Sequence, residues 1–171
     1  MSSYIKLIVF IVVLVSISVA IVSMDSSMDD INKVIPEISE NIVQGDMDYN
    51  ESVELVHGKY YLDSMSKATS AEENYNSSLN KLLDIQNRFD KELNSVHKDY
   101  INTVVTELKL KLNATENLKL SIECFEENSN YTGSNYGFEA NDVMDQAVRY
   151  QNQRNEIVQD HPNLFNSLKR V

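Results

Sequence analysis

Glycine and proline are nearly absent from this chain, with four and two residues in 171. Tight turns draw on both, so a sheet-rich fold with many short turns is excluded. The same scarcity excludes glycine-rich phosphate cradles. No Gly-x-Gly-x-x-Gly, no Walker-type loop and no Gly-x-Ser-x-Gly elbow occurs. Three histidines and one cysteine do not supply closely spaced ligands for a zinc site. Bases are short as well: 26 acids face 15 bases, a formal net charge of −11. That field repels nucleic acid and anionic headgroups, so no nucleic-acid partner is expected, and the acidity reads first as solubility. No catalytic residue, metal or cofactor is expected, and the chain reads as a non-enzymatic protein.

One long hydrophobic run is present. Leu7 to Met24, LIVFIVVLVSISVAIVSM, holds no charge. Its 18 residues make a helix of about 27 Å at the standard rise, close to a hydrocarbon core of about 30 Å. Lys6 lies before it and Asp25, Asp29 and Asp30 after it. The positive-inside bias then puts the N-terminus in the cytoplasm and the bulk of the chain outside. Residues 1–24 are read as a signal anchor in the cell membrane. The alternative is a secreted protein cleaved after Ala20, since Ser18-Val19-Ala20 is a small-x-small site. Against cleavage, Ile21 and Val22 continue the apolar run past it.

Residues 25–171 form one domain of ordinary size. From Lys59 to Thr132 there is neither glycine nor proline. Apolar residues recur there in steps of three and four: Leu79, Leu82, Ile85, Phe89, Leu93, Val96, Tyr100, Val104 and Leu108, with Ile101, Val105 and Leu112 alongside. That stripe predicts an amphipathic helix over 71–112. The opposite face carries Asn80, Asp84, Asn87, Lys91 and Asn102. Asp48 with Glu51, Ser70 with Glu73, and Asn113 with Glu116 are spaced like capping boxes and mark helix starts. Gly45 reads as a helix end, and Pro36 as a kink or a start. The glycine-bearing stretch 128–138, NSNYTGSNYGF, reads as a loop. A last helix runs from about Ala140 to Gln159 and stops at His161-Pro162, with Leu164, Phe165 and Leu168 docking after it. The fold class is all-α: the N-terminal transmembrane helix, then an elongated antiparallel bundle of about four helices.

Few residues suggest chemistry. Glu54 and His57 put a carboxylate and an imidazole on one helix face, but a di-iron bundle needs a second such step and two more carboxylates. The pair reads as solvent-facing. Cys124 cannot form an internal disulfide, so it is a small buried apolar residue or a bridge between two chains, which leaves homo-oligomerisation open. Asn-x-Ser/Thr sequons stand at Asn50, Asn76, Asn113 and Asn130. Chance alone gives roughly three such sequons in a chain with 19 Asn and 24 Ser and Thr. Asn130 is the best placed of them, in the expected loop. Tyr60, Tyr61, Tyr131 and Tyr136 suit partner recognition or ordinary loop composition equally.

An anchor followed by a long helical bundle is similar to the layout of the LemA family, and Ala147-Val148-Arg149-Tyr150 followed by His161-Pro162 is similar to that family's last helix. The family's basic, proline-containing segment is not matched. The layout also resembles four-helix sensor domains of chemoreceptors, without their second span and cytoplasmic module. No family is assigned. The reading is a single-pass, membrane-anchored extracytoplasmic helical protein, an interaction or envelope-structural module with a protein or envelope partner. The alternative is a sensor-like or secreted bundle that binds a small ligand.

Overall fold

A computed structural model describes residues 29–91 and 93–165. The hydrophobic segment 7–24 and the end of the tail, Leu168 included, lie outside the described residues. Among the described residues no helix is long and apolar enough to cross a membrane. The domain is all-helical: α1 (Asp29–His57), α2 (Tyr61–Phe89), α3 (Ser95–Glu126), α4 (Asn130–Asp160) and a short α5 (Pro162–Phe165). The four long helices form the expected bundle. Each packs chiefly on its neighbours in sequence, α1 on α2, α2 on α3 and α3 on α4.

Every pairing is antiparallel. Between α1 and α2, Ser52 faces Ser64, Tyr75 reaches Asp46, and Ser78 donates to the Ile38 carbonyl at 3.2 Å. Ser52 and Ser64 each donate to the other's backbone carbonyl at 2.8 Å. Helices approach this closely only where side chains are small. The buried face of α2 supplies them at Ser64, Ala68, Ala71 and Ser78, in alternating steps of four and three with Tyr75, Leu82 and Ile85. That spacing is the seam of a coiled-coil-like contact. α3 packs on two neighbours, and its buried face is correspondingly wide, from His97 through Tyr100, Val104, Leu108, Leu118 and Ile122.

Several boundaries differ from the sequence reading. The stripe over 71–112 is buried as expected, but it belongs to two helices: α2 stops at Phe89 and α3 starts at Ser95. No glycine or proline makes that break. The Asn94 side chain caps the new helix, accepting from the His97 N–H at 2.9 Å. The three expected starts at Asp48, Ser70 and Asn113 lie inside helices. Asp48 and Ser70 have a different task, because the Ser70 hydroxyl donates to the Asp48 carboxylate across α1–α2 at 2.8 Å. Gly45 does not end α1. A Cβ there would stand 2.6 Å from the Tyr75 ring, so this glycine lets the ring lie on the helix. Pro36 also lies inside α1 and is exposed.

The expected loop 128–138 is the first third of α4, which begins at Asn130. Its glycines serve contact. Gly133 is buried against the Phe125 ring, and the Ser121 hydroxyl donates to its carbonyl at 2.7 Å. The stop at His161-Pro162 is found as expected, and Leu164 packs partly buried on the core.

Candidate functional site

The unusual feature of the core is charge. Asp46 of α1, Glu107 and Lys111 of α3, and Arg154 of α4 are all buried, with Arg154 and Glu107 fully so. Lys111 Nζ lies 2.8 and 2.9 Å from the two oxygens of Asp46 and 3.0 Å from Glu107. Arg154 lies 3.2 Å from the other Glu107 oxygen. The Tyr75 hydroxyl donates to Asp46 at 2.6 Å, and Lys111 Nζ sits 5.6 Å from the centre of the Tyr75 ring. Two carboxylates and two cations make the group formally neutral.

The electrostatics follow from burial. Removal from water pushes the Asp46 carboxyl above its ordinary 3.8, against the pull of Lys111 and the Tyr75 hydroxyl. Burial and the facing Asp46 carboxylate push the Tyr75 phenol well up. Glu107 is held less completely. Its oxygens and all three Arg154 guanidinium nitrogens make no aligned hydrogen bond among the described residues, so these contacts act as charge pairs. Such a group offers no nucleophile or base to a substrate. It also carries its own cations: the Lys111 ammonium stands where a bound cation would bridge the carboxylates. No group of three metal-ligating side chains occurs among the described residues. What the cluster does is join four helices in one register, since a slip by one turn would strand a buried charge.

A cleft of about 300 Å³ lies elsewhere, lined by Val34, Asn80, Lys81, Ile85, Arg88 and Phe89. That is the lower end of ligand-pocket size, and none of its lining residues belongs to the charge cluster.

A second region is the end of the bundle where α1 meets α2 and α3 meets α4. The Tyr61 ring stacks on Phe125 with centroids 6.2 Å apart, which brings both connections to one end. The connections turn through two non-glycine residues in the left-handed region, Lys59 and Asn128, both at φ 62. Exposed large apolar side chains lie on them or in the first turn of the helix that follows: Tyr60 at 61%, Leu62 at 79% and Tyr131 at 82%.

The residues singled out from the sequence are spread along the bundle. Glu54 and His57 are exposed, as expected. Cys124 is partly exposed and carries no disulfide. The four sequon asparagines are all exposed, but three of their four hydroxyl partners are not. Ser52, Ser78 and Thr115 are fully buried, each donating to a backbone carbonyl. Only the Asn130 sequon keeps its hydroxyl residue, Thr132, exposed. The charge cluster went unnoticed in the sequence. Its signal was phase: Asp46 keeps step with Ile42 and Tyr49, and Lys111 with Val104 and Leu108.

Comparison with known proteins supplies no relative: no family model, no curated protein and no solved structure matches the chain.

Proposed function

We propose that this chain is a membrane-anchored, extracytoplasmic docking module without enzymatic activity. Residues 7–24 hold it in the membrane with the N-terminus cytoplasmic, and the far end of the bundle is the working surface. The observation that carries the reading is the exposure of Tyr60, Leu62 and Tyr131 on or directly after the two connections at the end opposite Asp29. Tyrosine gives large contact area at low entropic cost, which suits recognition. α1 has 29 residues, so this end stands about 43 Å from the start of the domain. The polar core supports the same reading, because its charges are buried and pair with one another, and none of them lines the cleft beside Val34 and Phe89.

The test is the intact mass of native protein from the membrane fraction, followed by crosslinking through a photoreactive group at Leu62. A mass that includes residues 1–24, with a discrete crosslinked partner, is expected. A soluble protein starting near Ile21 would remove the anchor. A retained anchor with no partner and no self-adduct from Leu62 would remove the docking role.

A further inference from the structure

One side of the core is closed by no pair of packed helices. Among the described residues α1 and α4 share no packed interface, although α3 touches both. Buried polar atoms with no aligned hydrogen bond among the described residues lie on these two helices and on α3. They are Ser39 Oγ and Tyr49 Oη on α1, Gln151 Oε1 and the three guanidinium nitrogens of Arg154 on α4, and both oxygens of Glu107 on α3. Each of these side chains is more than nine-tenths buried. Ser39 and Tyr49 stand seven and three residues from Asp46, and Gln151 three from Arg154. They therefore share the helix faces that carry the charge cluster.

Buried polar groups left without a bond carry their full desolvation cost. An arginine cannot shed its charge to escape it. The chemistry of the set narrows what could complete it. Arg154 only donates, Glu107 and Gln151 Oε1 only accept, and the two hydroxyls do both. The formal charges cancel, so a bound anion would face Asp46 and Glu107, and a bound cation would face Lys111 and Arg154. What fits is small, neutral, and able both to donate and to accept. We propose that the α1–α4 side of the core is a binding site for water. A few ordered molecules link Arg154 and Gln151 of α4 to Ser39 and Tyr49 of α1, with Glu107 as a shared acceptor. Buried waters typically make about three hydrogen bonds to groups of this kind and are part of the fold. α1 and α4 are then joined through water, whereas neighbours in sequence are joined by packed side chains.

The test uses the full chain in nanodiscs of neutral phosphatidylcholine. Tyr49→Phe and Ser39→Ala each delete one hydroxyl and little else. Deleting a buried hydroxyl that has no partner is neutral or stabilising, whereas deleting one bonded to water is destabilising. Each variant should lower the urea midpoint by about 0.3–1 M, with the exposed Tyr131→Phe unchanged. With arginine labelled by nitrogen-15, the Arg154 Nε–H of native protein should show NOE and ROE cross-peaks to water of opposite sign, the mark of a long-lived bound molecule. The exposed Arg88 and Arg149 should show only same-sign exchange peaks. Absence of a water peak at Arg154 would overturn the proposal, because the guanidinium then closes on Glu107 directly. A same-sign peak there would overturn it as well, since bulk solvent then reaches the core. A bound-water peak with unchanged or raised midpoints in both hydroxyl variants would overturn the link to α1.

Discussion

The middle and the far end of this bundle handle charge in opposite ways. In the middle, Asp46, Glu107, Lys111 and Arg154 are buried and face one another. At the end, Glu54, Asp63, Glu123, Glu126 and Glu127 are exposed and make no ion pair among the described residues. The difference separates two uses of charge. Buried charge is costly to desolvate and is tolerated only with its partner in place, so it dictates which packing is allowed. Exposed charge adds little to stability and is free to meet another molecule. Loss of one buried partner is therefore the harshest way to break the comparison. Arg154→Met leaves Glu107 buried with one cation fewer, and should cost about 3–5 kcal/mol in urea unfolding. Replacing all four charged residues by apolar ones of similar volume should restore much of that stability. The cost should then appear as lost uniqueness of packing, read as broadened side-chain resonances.

Gly45→Ala is next in size. In an ordinary helix interior this change stabilises by about 1 kcal/mol. Here the new methyl meets the Tyr75 ring at 2.6 Å, and the ring is fixed by its hydroxyl bond to Asp46. A net loss of about 1–3 kcal/mol is expected from the overpacking. A gain in the unfolding midpoint would show that α1 and α2 are not seated on that ring.

Acid sharpens the comparison within α1 itself, where two buried aspartates stand two residues apart. Burial raises the Asp46 carboxyl above 3.8. The folded chain then takes up a proton before the unfolded chain does. From this group, stability rises as pH falls through its folded value toward 3.8. Burial also acts to raise Asp48, but hydrogen bonds from Ser70, Gln44 and Lys67 outweigh it and hold the carboxyl below 3.8. Its contribution is complete above pH 3.8 and is lost as pH falls through the lower folded value. Unfolding free energies on both sides of pH 3.8 should therefore show opposite changes of slope in Asp46→Asn and Asp48→Asn. Slopes that change in the same sense would mean that one of the two pairings is misassigned.

How much of this was legible beforehand follows from what each residue answers to. The stripe from Leu79 to Leu112 is a matter of phase, and phase survives in a sequence, so the core residues were readable. The break within it was not, because α2 stops at Phe89 and Asn94 caps α3 without any glycine or proline. Capping-box spacing misled at Asp48 and Ser70 for a related reason. A short polar side chain that bonds an N–H at a helix start bonds a facing helix equally well. The glycines of α4 looked like loop formers because the groups they accommodate, the Phe125 ring at Gly133 and the Ser121 hydroxyl at Gly137, are contributed by α3. The charge cluster was hidden by the rule that charges face water. Asp46 and Lys111 are 65 residues apart in sequence, and nothing local announces the pairing.

At the far end the expected effects on stability are small. Tyr60→Ser, Leu62→Ser and Tyr131→Ser should each leave unfolding within about 0.5 kcal/mol of native, as exposed substitutions do. The sequons give the finest contrast. If the domain lies outside the membrane, a glycan joins an asparagine side chain only where the whole Asn-x-Ser/Thr triplet reaches the transferring enzyme. Ser52, Ser78 and Thr115 are committed to backbone carbonyls in the interior of helices, whereas Thr132 is exposed in the first turn of α4. Glycan transfer to the folded chain should therefore fall on Asn130 and leave Asn50, Asn76 and Asn113 bare. Peptide mapping of native protein measures this directly, with Asn130→Gln as the control that removes the modification. Occupancy of the three mid-helix sites would show that glycans are added before the helices pack. A glycan at Asn130 alone would stand next to Tyr131, on the surface assigned to the partner, and its removal should then raise the partner's affinity.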